Sequence, residues 1–123
     1  MQENAKKTKI LTIDDNQGIL FIMKQALEIK NYEVEISDSF RGIESIKRSA
    51  PDLILLDISL TDTDGGEACR KLKSNEFTKH IPIIILSGNP DLEKVAGDAE
   101  ADDYLAKPFN LVDFYQKIKL NLL

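Results

Sequence analysis

The chain has 123 residues, the size of one compact domain, and 42% of them are hydrophobic, enough for a single core. Its net charge of −5 argues against a nucleic-acid-binding domain, which would carry a basic face. Cys69 is the sole cysteine, so a fold stapled by internal disulfides is excluded.

Residues 1–7 form a polar tail without an apolar signal segment. No apolar stretch approaches the ~20 residues needed to span a bilayer, so the expectation is a soluble, cytoplasmic domain away from membranes. Ile10-Leu11-Thr12-Ile13 reads as a buried strand that ends in Asp14-Asp15. Residues 17 to 30 place Ile19, Leu20, Ile22, Met23, Ala26, Leu27 and Ile29 at helical spacing. Val34 and Ile36 alternate with charges, as on a half-exposed edge strand. Ile43, Ile46 and Lys47 suggest a short helix. Leu53-Ile54-Leu55-Leu56 is a second apolar run and ends in Asp57. Residues 66 to 75 read as a helix with Ala68, Cys69 and Leu72 inward. The third run, Ile81 to Leu86, ends in Ser87-Gly88. A weak helix over residues 91 to 99 follows. Asp103 to Ala106 reads as a short strand ending in Lys107-Pro108, and residues 110 to 122 as a last helix with Leu111, Phe114, Ile118 and Leu122 on one face.

These are five β–α units in series. Near-continuous apolar strands imply a sheet covered on both faces, and βα alternation implies a mostly parallel one. Right-handed crossovers then place all strand carboxyl ends on one edge, where ligands of such sheets bind. Asp14, Asp15, Asp57, Ser87 and Lys107 all fall there. Two carboxylates ~4 Å apart repel by ~4 kcal/mol at an effective dielectric near 20, so three ask for a cation. Oxygen ligands favour Mg²⁺ or Mn²⁺, and with His80 as the sole histidine a zinc site lacks ligands. A divalent cation, an ammonium and a hydroxyl around one aspartate suit phosphoryl transfer, with the carboxylate as nucleophile. Each feature also has a plainer reading. Asp14-Asp15 could cap the next helix, Asp57 could be a loop acid, and Lys107-Pro108 a turn. Asp62 and Asp64 read as helix caps rather than ligands, and Cys69 as a core residue. The acids from Asp57 to Glu67 do not make a calcium loop, because the sixth place lacks glycine.

Over nearly its whole length the sequence resembles the response regulator receiver domain family of two-component signalling. Ile10–Asn16 is similar to the family's acidic first loop, Leu55-Leu56-Asp57 to its phosphoacceptor strand, and Asp64-Gly65 to its following loop. Ser87 matches the switch hydroxyl, Tyr104 the aromatic switch position, and Lys107-Pro108-Phe109 the motif after strand five. The resemblance implies one receiver domain over 1–123, with a doubly wound (βα)5, flavodoxin-like parallel sheet of order 2-1-3-4-5. It implies Mg²⁺ (or Mn²⁺) bound by Asp15, Asp57 and the Ser59 backbone carbonyl, with Asp14 acting through water. Lys107 would pair with the phosphoryl group beside a cis Lys107–Pro108 bond. A sensor histidine kinase or phosphotransfer protein would phosphorylate Asp57, and a downstream protein partner or effector domain would read the change through Ser87 and Tyr104. Such a chain is a phosphoacceptor that assists its own phosphorylation and dephosphorylation rather than an enzyme of turnover.

Three positions depart from the family pattern. Thr61 stands where proline is common, and Glu100 where glycine commonly ends helix four. The Ser87–Lys107 interval is also about two residues short of the family's usual spacing, so helix four is expected to be short, shifted or partly unwound. Three other readings compete. A flavodoxin-like cofactor carrier needs a Ser/Thr/Gly-rich phosphate loop, but here it is Asp14-Asp15-Asn16. An aspartyl-phosphate phosphatase needs an acid where Ser59 stands. A non-phosphorylated, receiver-like interaction module would not need the full set of acids with Ser87 and Lys107.

Overall fold

The computed structural model describes residues 6–60 and 64–123. Five strands form one parallel sheet: β1 (Lys9–Ile13), β2 (Glu33–Ser37), β3 (Leu53–Asp57), β4 (Ile83–Ser87) and β5 (Asp103–Ala106), in the order β2-β1-β3-β4-β5. The helices α1 (Gln17–Ile29), α2 (Ile43–Ser49), α3 (Gly65–Ser74), α4 (Leu92–Asp98) and α5 (Leu111–Asn121) alternate with them. This is the doubly wound order expected. All four strand pairings are parallel, with Ile10 opposite Leu53, Ile54 opposite Ile83 and Ile84 opposite Asp103.

Alternation along each strand divides the interior into two cores. Ile10, Leu53, Leu55, Ile84 and Leu86 meet α1 and α5 through Leu20, Met23, Leu27, Phe114 and Ile118. Leu11, Ile13, Ile54, Leu56, Ile83 and Ile85 meet α2, α3 and α4 through Ile46, Leu72, Leu92 and Ala96. Ala68 and Cys69 are fully buried there, as their helical spacing predicts. Burial pushes the Cys69 thiol up to about 11, so it behaves as a small apolar filler.

Several sequence expectations need adjustment. Ile22 and Ile29 are exposed, because α1 presents only a narrow stripe to the sheet, carried by Leu20, Met23, Ala26 and Leu27. Leu111 is also exposed, at the first turn of α5, where the helix has not yet reached the sheet. The third apolar run enters the sheet only at Ile83. Pro82 has no N–H to give, and only its carbonyl is used, by the Ile54 N–H.

Helix α4 is short, at seven residues, as the tight Ser87–Lys107 interval leads one to expect. It ends in a Schellman turn: the Glu100 N–H donates to Gly97 O and the Ala101 N–H to Ala96 O. Glu100 therefore sits at φ +62, a left-handed conformation that glycine adopts without penalty. Glu100→Gly is expected to stabilise the protein by about 0.5–1 kcal/mol, read as a higher denaturant midpoint at unchanged slope. A lower midpoint would show that the glutamate side chain contributes more than its backbone costs. Thr61 and Asp62 lie outside the described residues. Asp64 does cap α3, accepting from the Gly66 N–H at 2.9 Å. Among the described residues no helix is long and apolar enough to cross a membrane.

Candidate functional site

The carboxyl ends of β1, β3, β4 and β5 bring together side chains that are far apart in sequence. Asp14 follows β1, and its N–H prolongs the ladder by donating to Ser37 O at 3.1 Å. The chain then turns into α1. The Asn16 N–H donates to Asp14 Oδ1 at 2.9 Å, and Asn16 itself caps the helix by accepting from the Ile19 N–H. Asp14 is thus not the cap. It is wholly buried, with one oxygen committed to the turn and the other accepting from Lys107 Nζ at 2.6 Å.

Asp57 closes β3 and is 4% exposed. Its Oδ1 accepts from the Ser59 N–H at 3.2 Å and lies 3.6 Å from Lys107 Nζ. Burial is the main cause that raises its carboxyl above the ordinary aspartate value. The Ser59 N–H pulls it back, the Asp14 charge raises it, Lys107 lowers it, and the Asp15 charge raises it again. Lys107 is aimed inward because its own N–H donates to Ser87 O, extending the β4–β5 ladder by one residue. The following Lys107–Pro108 bond is cis. The tightest ion pair of Lys107 here is with Asp14 rather than Asp57.

Carboxylate oxygens of Asp14, Asp15 and Asp57 all lie within 4.8 Å of one another. The donors are oxygens alone, the set that a hard divalent cation takes. Three carboxylates against one ammonium leave a surplus of negative charge, which such a cation would neutralise. Ser87 is 2% exposed at the end of β4, and its Oγ accepts from the Asn89 N–H at 3.0 Å. That hydroxyl keeps its proton to donate. Ser59 forms an isolated bridge with Asp64 at the start of α3. Tyr104 is half-buried on β5 and packs against the core beneath α4.

Two features escaped the sequence reading. Gly65 lets α3 start directly beneath the end of β3: a Cβ there would stand 2.5 Å from Asp57 O and 2.7 Å from Ile58 Cα. The pair Asp64-Gly65 is visible in sequence, but this close approach is not. A second polar cluster, Asp103, Lys117 and Asn121, sits at the free edge of β5. Lys117 and Asn121 are four apart on α5, but Asp103 lies 14 and 18 residues before them, and no spacing rule joins it to that pair.

Residues 10–119 match the response regulator receiver domain family, and the chain belongs to that family. It is similar to the response regulator ArlR of Staphylococcus saprophyticus, 40% identical over 118 residues, covering 94% of this chain and 52% of that protein. The chain spans about half the length of the curated relatives it matches. Among solved structures it resembles a CheY-like receiver domain protein from Methanospirillum hungatei. The TM-score is 0.85 at 35% identity, covering 95% of this chain and 94% of that one. It also resembles the receiver domain of the sensor histidine kinase PA1611 from Pseudomonas aeruginosa, described with a magnesium ion coordinated in its active-site cleft. There the TM-score is 0.85 at 27% identity, covering 95% of this chain and 98% of that one. Receiver domains are phosphoacceptors of two-component signalling rather than turnover enzymes.

Proposed function

We propose that residues 1–123 act as one receiver domain whose Asp57 accepts a phosphoryl group from a histidine kinase or phosphotransfer protein in the cytoplasm. The observation that carries this reading is the Lys107 ammonium lying between Asp14 and Asp57, in the pocket that also gathers Asp15. An Asp57 oxygen attacks phosphorus while the bond to the donor's histidine nitrogen breaks, and the electron pair stays on that nitrogen. Lys107 follows the charge onto a phosphoryl oxygen, and the Ser87 hydroxyl donates to another. Burial of Asp57 keeps bulk water from the acyl phosphate.

Asp15, Asp57 and the Ser59 carbonyl would hold Mg²⁺ (or Mn²⁺) directly. Asp14 would act through water, in keeping with both of its oxygens already accepting hydrogen bonds. When bound, the ion supplies positive charge opposite the phosphoryl oxygens. The magnesium in the PA1611 cleft supports this choice. Phosphorylation adds about −1.5 to −2 charges. Ser87 then moves toward the new group, and Tyr104 turns toward the space it leaves. The face built by α4, β5 and α5 changes for a downstream partner or an effector domain, since the relatives are about twice as long.

Incubation with acetyl phosphate and Mg²⁺ should add one phosphoryl group, labile to hydroxylamine and visible by intact mass. Asp57→Asn should take up none, and full labelling of that variant would sink the assignment. Mg²⁺ alone should raise the melting temperature, by the equivalent of ~2.7 kcal/mol at a hundredfold excess over its dissociation constant. Asp15→Asn should remove most of that gain. A melting temperature flat across the titration counts against the metal site.

A further inference from the structure

The cluster at the free edge of β5 plays no part in phosphoryl transfer, yet it is built around the switch aromatic. Asp103 and Tyr104 are adjacent on β5 and so face opposite sides of the sheet. Lys117 projects from α5, on the Asp103 side. Its Nζ donates to Asp103 Oδ1 at 2.7 Å and stands 5.1 Å from the centroid of the Tyr104 ring. The lysine stem therefore straps across the strand edge. A lone surface lysine would not stay in one place, because its rotamer entropy opposes it. This one is bonded to a carboxylate that is itself held at several points. Asn121 Nδ2 donates to Asp103 Oδ2 at 2.9 Å and to the Lys117 carbonyl at 2.8 Å. The Tyr104 N–H donates to Asp103 Oδ1 at 2.8 Å. Burial alone would raise the Asp103 carboxyl. Hydrogen bonds from Lys117, Asn121 and the Tyr104 N–H outweigh it and hold the carboxyl below the usual range.

We propose that Asp103, Lys117 and Asn121 form a latch that holds the Tyr104 ring in its half-buried position and sets the threshold of the phosphorylation switch. This rests on the phosphoacceptor reading above. For the ring to turn toward Ser87 it must leave the ammonium that covers it. The latch thereby weights the equilibrium toward the unswitched state, and any ligand that favours the switched state binds more weakly by the same factor.

The test is NMR of the whole chain with labelled tyrosine rings, titrated with beryllofluoride in the presence of Mg²⁺. Lys117→Met keeps the stem and removes the charge. It should lower the half-saturating beryllofluoride concentration about 2- to 5-fold, the equivalent of one exposed cation–π interaction. In the ligand-free protein it should also shift the Tyr104 ring signals part-way toward their bound positions. Lys117→Arg keeps both the charge and the carboxylate pair, and should behave as wild type. Asn121→Ala should move the midpoint in the same direction by less. If Lys117→Met loses stability but binds beryllofluoride as wild type does, with its Tyr104 signals unmoved, the cluster is a structural brace and the latch is overturned. If the wild type shows no response around Asp57, the phosphoacceptor reading falls, and the threshold role falls with it.

Discussion

Asp57→Asn is expected to stabilise the metal-free protein at pH 7 by about 1–3 kcal/mol, a rise of roughly 4–12 °C in melting temperature. The wild-type carboxylate is buried beside Asp14 and Asp15, and Lys107, 3.6 Å away, offsets only part of that repulsion. Asparagine keeps the shape and can still accept from the Ser59 N–H. The pH dependence has a definite sign. The carboxyl of folded Asp57 lies above its unfolded value, so the folded state binds this proton more tightly. Above the folded pKa the charged group costs stability. That cost is relieved as pH falls through the folded value, and it is gone below the unfolded value near ~3.9. The advantage of Asp57→Asn should therefore be constant above the folded pKa and shrink as pH falls through it toward the unfolded value, in a melting series carried down into the acid range. A gain that stays constant through the acid range, or a destabilised variant, would show that Asp57 is not held under charge strain. Sites arranged for chemistry often carry such a cost in their resting state.

Gly65→Ala is expected to destabilise by about 2–4 kcal/mol despite the better helix propensity of alanine. The added methyl would lie 2.5 Å from Asp57 O, 2.7 Å from Ile58 Cα and 3.0 Å from Ile58 C. These are backbone atoms of the strand end, tied by the Ile58 N–H to Leu86 O and by Ile58 O to the Gly65 N–H. They cannot rotate away as a side chain could. Either α3 shifts outward or the end of β3 shifts, and the second alternative also displaces the Asp57 carboxylate. Chemical denaturation measures the first effect, and uptake of label from acetyl phosphate measures the second. Alanine tolerated within 0.5 kcal/mol, with normal labelling, would mean that the loop and helix relax freely. Gly66→Ala is the fitting control, because its nearest neighbours would be side-chain atoms at 3.3 and 3.4 Å.

Chain order and polarity alone determined a great deal here. Three runs without a charged residue could only be strands covered on both sides, and the helical stripes between them required a parallel sheet. In such a sheet, the residues that end the strands must share one edge, so Asp14, Asp15, Asp57, Ser87 and Lys107 could be grouped before any coordinates. Strand order itself came from the resemblance, because pairing choices among similar apolar runs are not written in any one of them. The structure decided what depends on distance and on shared partners. It assigned the cap of α1 to Asn16 rather than to either aspartate, and it turned Ile22 and Ile29 outward. It set the resting Lys107 nearer Asp14 than Asp57, and it revealed why residue 65 has no side chain. It also joined Asp103 to Lys117 and Asn121 around Tyr104. Most of these outcomes depend on how segments distant in the chain pack against one another. Local sequence sets which groups are available, while only the packed sheet and helices set which of them meet.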